Sequence, residues 1–139
     1  MDLIPDDRFQ ASTEPDRDVI FYGNSQTNSA WKSLLANSPV QVEQGSIRVG
    51  NREETGADLA CLFLRPRPGS GRASVGAVTG SGIAGMRLTD RLTYFTSGVA
   101  YPDFMILGPG ILAQGNGGVR AAGFFGIDWS VDLGEFAWR

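Results

Sequence analysis

Leu59-Ala60-Cys61-Leu62-Phe63-Leu64-Arg65-Pro66-Arg67-Pro68-Gly69-Ser70-Gly71-Arg72-Ala73-Ser74-Val75-Gly76-Ala77-Val78 sets how the rest of the chain is read. Two continuous apolar runs flank a Pro-Gly turn. A parallel crossover needs a dozen or more residues, and Arg65 to Gly71 is too short for one, so the two strands must pair antiparallel. That pairing excludes a purely parallel sheet and predicts a mixed one.

Working back from there, Val40, Val42, Ile47 and Val49 alternate between the glycine turns Gln44-Gly45 and Gly50-Asn51. Period-2 apolar residues between turns predict a small β-meander with a solvated outer face. Val19-Ile20-Phe21-Tyr22 is a continuous run and predicts a strand buried on both faces. Gly23 to Asn28 (GNSQTN) breaks it. Residues 29–36 then show helical spacing at Trp31, Leu34 and Leu35, with Thr27 or Asn28 as the cap and Pro39 beyond the end. Residues 1–18 hold six acids, two arginines and two prolines and read as a polar arm or linker.

Working forward, Thr79-Gly80-Ser81-Gly82 feeds a helix over 83–92 with Ile83, Met86, Leu88 and Leu92 on one side. Phe104 to Leu107 is a further strand, Gly115 to Gly118 a loop, and Ala121 to Gly126 the last strand. Trp129, Phe136 and Trp138 crowd the tail and are candidates for docking against a domain body or a partner. Together these elements predict an α/β fold: one layered α/β/α domain over 19–139, with a mixed sheet and a small β-meander.

Composition narrows the chemistry. The 139 residues include no histidine and one cysteine. That excludes, within this chain, a Ser-His-Asp hydrolase, a Cys-His protease, a His-ligated zinc site and an internal disulfide. A net charge of -3 argues against a nucleic-acid binder built on bulk charge. No apolar run is long enough to span a bilayer, and the acidic Met1–Asp7 segment is unlike a signal peptide. No cofactor and no metal site is expected. Cys61, inside a strand, is expected to be an inert small hydrophobe.

Two loops are candidates for ligand binding. Gly23–Asn28 offers Asn24, Ser25, Thr27 and Asn28 at a strand-to-helix junction, where free N–H groups suit an anion. Thr79–Gly82 offers Thr79 and Ser81 at a second such junction. Gly80, Gly82 and Gly85 fit GxGxxG on spacing, but the loop follows a hairpin strand and lacks the acidic residue of a second βαβ strand, so close helix packing is the favoured account. Ser81 has no GxSxG elbow and no imidazole base, which leaves it without conventional activation. No spacing demands a carboxylate pair among Glu53, Glu54, Asp128, Asp132 and Glu135. Arg87, Asp90 and Arg91, at i, i+3 and i+4, suggest local ion pairing.

DVIFYGNSQTNSAW, the DLACLF-RPRPGS hairpin, GMRLTDRLTYFTSGVAYPD and the AAGFFG-DW end resemble the C-terminal region of large bacterial prolyl-oligopeptidase-like serine hydrolases, from about Asp18 to Arg139. The resemblance places the family's catalytic serine and histidine in an upstream hydrolase domain, so no catalytic residue carries over. It implies a non-catalytic accessory or interaction domain whose partner is that hydrolase domain or a second copy of the chain. The reading from the loops alone is a small-ligand binding module.

Overall fold

The computed structural model describes residues 1–139. Nine strands make up 32% of the chain and helices 17%. Strands β1 (Val19–Tyr22), β5 (Ala60–Pro66), β6 (Ser74–Gly80), β7 (Phe104–Leu107), β8 (Val119–Phe124) and β9 (Glu135–Trp138) form one sheet, in the order β1-β6-β5-β7-β8-β9. Strands β2 (Val40–Glu43), β3 (Ser46–Val49) and β4 (Arg52–Thr55) form a second, antiparallel sheet. The Leu59–Val78 segment is the antiparallel β5–β6 hairpin, with Phe63 opposite Ala77. The one parallel pair is β1–β6.

Register puts directly opposed residues on the same face of a sheet. Phe21, Ala77, Phe63, Phe104, Gly123 and Phe136 therefore make one row across the inner face of the large sheet. The small sheet packs onto that face through Val40, Val42, Ile47 and Val49, all fully buried. Trp31 fills the gap between the sheets, edge-on to Phe21 (5.5 Å) and Phe63 (6.3 Å). Its indole N–H donates to Gln41 Oε1 at 3.2 Å.

The layered α/β/α expectation is therefore wrong. Two helices stand where the junctions predicted them, a third at Ile111–Gln114 was not predicted, and all are too short to make layers. α1 is Trp31–Leu34, α2 is Ile83–Leu88 followed by a 3-10 turn at Thr89–Arg91, and α3 is Ile111–Gln114. Burial that three helical turns would supply comes instead from the second sheet and an aromatic cluster. β1 also departs from expectation. It is an edge strand with Phe21 buried and Ile20 and Tyr22 exposed, so the apolar run marked a half-covered edge rather than a central strand.

Residues 1–18 lie against the domain rather than trailing from it. The Arg67 side chain, 2% exposed, donates to the backbone carbonyls of Ala11, Thr13, Glu14 and Arg17. Carbonyl dipoles there do for a buried charge what a carboxylate usually does. The Phe9 ring lies 5.9 Å from the guanidinium. Asp6 accepts from Ser29 N–H (2.7 Å) and Oγ–H (2.8 Å), Asp16 accepts from Ser70, and Asp18 accepts from the Ser74 N–H.

Candidate functional site

The Gly23–Asn28 turn is built on Asn24. Its buried carboxamide accepts from Gln26 N–H (2.9 Å) and Thr27 N–H (3.1 Å) and donates to Gly80 O at 3.0 Å. The last bond joins the first glycine loop to the second, so the two predicted loops do meet. Thr27 Oγ1 accepts from Asn24 N–H and donates back to Asn24 Oδ1. Asn28 donates to Tyr22 O and accepts from Ala30 N–H, one residue ahead of α1. Ser25 N–H donates to Val42 O and ties the turn to the small sheet.

Thr79 and Ser81 are fully buried. Thr79 Oγ1 donates to Cys61 O (2.7 Å), and Ser81 Oγ accepts from Leu59 N–H (3.2 Å) and donates to Leu59 O (3.4 Å). Neither hydroxyl is placed to meet a ligand. Burial also pushes the Cys61 thiol up, far from the thiolate that reacts. The second loop's glycines are explained by contact. A Cβ on Gly80 would lie 2.6 Å from Met86 N, on Gly82 2.4 Å from Ala57 O, and on Gly85 2.0 Å from Leu59 O. The first of these approaches packs α2 on the end of β6, and the last seats it on the residue ahead of β5.

Where the loops meet they frame an open cleft of ≈ 390 Å³. Asn24, Thr27 and Gly82 line it from the predicted loops; Ser25, Asn28, Thr79 and Ser81 do not. Its remaining walls come from residues the sequence did not single out as ligand contacts. Tyr22 projects from the outer face of β1. Tyr94 donates its hydroxyl to Tyr22 Oη at 3.2 Å, with the rings edge-to-face at 6.3 Å and 64°. Burial first, then the bond to Tyr22 and the charge of nearby Asp90, raise the Tyr94 phenol to about 12, so it stays a neutral donor.

Gln44, Arg87, Thr89 and Asp90 also line the cleft, with Ile83 and Met86 as apolar lining. The local ion pairing expected among Arg87, Asp90 and Arg91 does not form; the salt bridges of the chain lie elsewhere, at Arg17, Arg72 and Arg120. Both charges of the rim therefore face the cleft without an internal partner. The signal for this site was the unassigned aromatic pair Tyr94-Phe95 between a helix and a strand, since an amphipathic ring in a connection needs somewhere to rest.

The tail aromatics belong to a different region. Phe136 and Trp138 stand on β9, a strand not anticipated there, and are half-buried against Phe104 (5.7 and 6.1 Å). Arg52 stacks on Trp138 at 4.8 Å, Arg65 donates to Trp129 O, and Arg65 lies 5.4 Å from the Phe125 ring. All three predicted docking residues thus pack on the chain's own core. Among the carboxylates, Glu54 pairs with Arg120 at 3.0 Å and Asp128 accepts from Ser130 N–H. No group of three or more His, Cys, Asp or Glu side chains is gathered that could hold a metal ion, and no helix is long and apolar enough to cross a membrane.

Fold and site together define a mostly-β domain of two packed sheets with an open aromatic and polar cleft at one end of a hairpin. An uncharacterized secreted protein of Arthroderma benhamiae is 33% identical to the chain over 78 residues. That match covers 56% of this chain and 8% of the relative. No family model matches the chain, and no solved structure matches it. The similarity to a fungal secreted protein overturns the resemblance to a bacterial prolyl-oligopeptidase-like region, and with it the bacterial origin and the serine hydrolase association drawn from it.

Proposed function

We propose that the chain is a small-ligand binding domain whose ligand sits between Tyr22, Tyr94, Arg87 and Asp90. The observation that carries this reading is the pair of opposite charges facing a cleft of ligand size with no internal partner. Binding without turnover is the favoured activity, because the Ser81 hydroxyl is committed to Leu59 and no imidazole is present to activate another. The test is ligand-observed NMR with a broad panel of extracellular metabolites, a choice guided by the secreted relative. Binding should weaken in Tyr22→Ala and Arg87→Ala. A panel with no binder, or with binders indifferent to both changes, would refute the reading.

Self-association is a second reading, favoured by three apolar side chains around the β8–β9 connection. Phe124 is 56% exposed, Leu133 67% and Ile127 101%. Single exposed apolar residues are ordinary, but three within one strand connection are the kind of surface that oligomers cover. Sedimentation equilibrium tests it: a dimer dissociated by Ile127→Lys supports it, and a monomer at high concentration removes it.

A further inference from the structure

We infer that the cleft takes a pyranose sugar, free or at the end of a glycan, an assignment that rests on the ligand-binding reading above. The inference comes from what the cleft's atoms lack. Arg87 can only donate hydrogen bonds and Asp90 can only accept them, and the two share one rim. A simple anion would meet Asp90, and a simple cation would meet Arg87. A hydroxyl group both donates and accepts, so neighbouring hydroxyls on one ring satisfy both side chains without a net charge. The Gln44 carboxamide beside them adds one group of each kind.

Backbone donors point the same way. A phosphate needs a cluster of free N–H groups, and the Gly23–Asn28 loop has spent its own. Gly23 N–H goes to Val78 O, Asn24 N–H to Thr27 Oγ1, Ser25 N–H to Val42 O, Gln26 and Thr27 N–H to Asn24 Oδ1, and Asn28 N–H to Asn24 O. α2, six residues long, offers little dipole. The apolar side of the ligand is provided for as well. Tyr22, 49% exposed at a sheet edge, lines the cleft with Tyr94, the two rings edge-to-face. The negative face of an aromatic ring attracts the polarised C–H groups on one side of a sugar. A flat, hydroxylated ring with one C–H face is the ligand class that uses all of these groups together.

Saturation-transfer NMR on the full chain tests this with methyl glycosides of glucose, galactose, mannose and N-acetylglucosamine, and with oligosaccharides of the same units. Inorganic phosphate, AMP and glycine form the comparison arm. Transfer to one C–H face of a sugar is expected. Asp90→Asn should weaken it about tenfold, the loss of a charge-assisted hydrogen bond. Tyr22→Ala should weaken it at least as much, and Lys32→Ala on α1 should leave it unchanged. Should Tyr22→Ala disturb the edge strand, Asp90→Asn on its exposed turn still gives the readout. Binding by oligosaccharides and not by methyl glycosides supports a glycan-borne source; binding by both supports a free one. Sugars that stay silent while phosphate, AMP or glycine binds in a Tyr22-dependent manner overturn the sugar assignment and leave the cleft standing. Silence in every arm and in the wider panel overturns both. Sugar binding indifferent to Asp90→Asn and Tyr22→Ala also overturns the assignment.

Discussion

Two arginines, twenty residues apart in sequence, have opposite surroundings. Arg67 is buried, and its guanidinium is held by four carbonyls of the N-terminal segment. Arg87 is exposed on α2, beside an equally partnerless Asp90. A buried guanidinium must be solvated by the protein or the fold pays in stability. An exposed one is solvated by water and keeps its hydrogen-bonding capacity for something else. The contrast separates a structural cation from one free to recognise a ligand, and it does so by where the donors go rather than by residue type.

The largest expected effect tests the first half of the contrast. Arg67→Met keeps much of the side-chain volume and removes the donors. Denaturant unfolding should show a loss of about 3 kcal/mol, the lower end of the cost of removing one partner of a buried charge, because the freed carbonyls can turn to water. Limited proteolysis should then cut within residues 9–18 while the two sheets stay intact. If that segment remains protected, the four carbonyls are not what holds it.

Next in size is the seat of the cleft. Gly85→Ala would put a Cβ 2.0 Å from the carbonyl oxygen of Leu59. Backbone cannot step aside as a side chain can, so a loss of about 1–3 kcal/mol is expected. α2 should shift outward, carrying Arg87 away from Tyr22 and weakening any ligand. Gly76→Ala is a control of the same chemistry. Its Cβ would meet the Phe95 ring at 2.7 Å, but that ring is partly exposed and free to swing. A cost under about 1 kcal/mol is expected there. Smaller still is Arg87→Ala, which should change stability by less than about 0.5 kcal/mol, as surface substitutions without internal partners do. A large loss would show that Arg87 supports the fold and would blur the contrast with Arg67.

The hairpin at 59–78 and the 40–49 meander were legible because apolar runs and alternation report directly on strands, and a five- to seven-residue turn leaves one pairing. The layers were not. Strand-glycine-helix punctuation looks the same whether one helical turn follows or three, so α1 and α2 read as helices long enough to cover a sheet. β4 (Arg-Glu-Glu-Thr) carries no apolar alternation, and in β9 (Glu-Phe-Ala-Trp) the alternation of Phe136 and Trp138 runs over only four residues. Arg67 was illegible for another reason: its partners are carbonyls 50 to 56 residues away, and carbonyls have no sequence signature. At the site, the meeting of the two glycine loops was foreseeable, but Asn24, Asn28, Thr79 and Ser81 are spent on backbone groups. The groups left free, Tyr22, Gln44, Arg87, Asp90 and Tyr94, converge only through the β1–β6 pairing and the turn after α2.

The N-terminal segment carries a second tie that sharpens the contrast from the other side. Asp6 accepts two hydrogen bonds from Ser29, first from the backbone N–H and then from the hydroxyl, and these hold its carboxyl below the usual range. A carboxylate with a depressed folded pKa contributes stability above its unfolded value, about 3.9, and loses it as pH falls through the folded value. The acceptors around Arg67 are backbone carbonyls, which have no proton to gain in that window. Acidification below about pH 4 should therefore release the Asp6 end of the segment while the residues around Arg67 stay docked. The Ser29 amide proton reports the release in a pH series of heteronuclear NMR spectra, moving upfield as the carboxylate takes up its proton. In Asp6→Asn the shift should no longer titrate. If the amides of 11–17 titrate together with Ser29, the two ties act as one unit, and the arginine clasp alone does not anchor the segment.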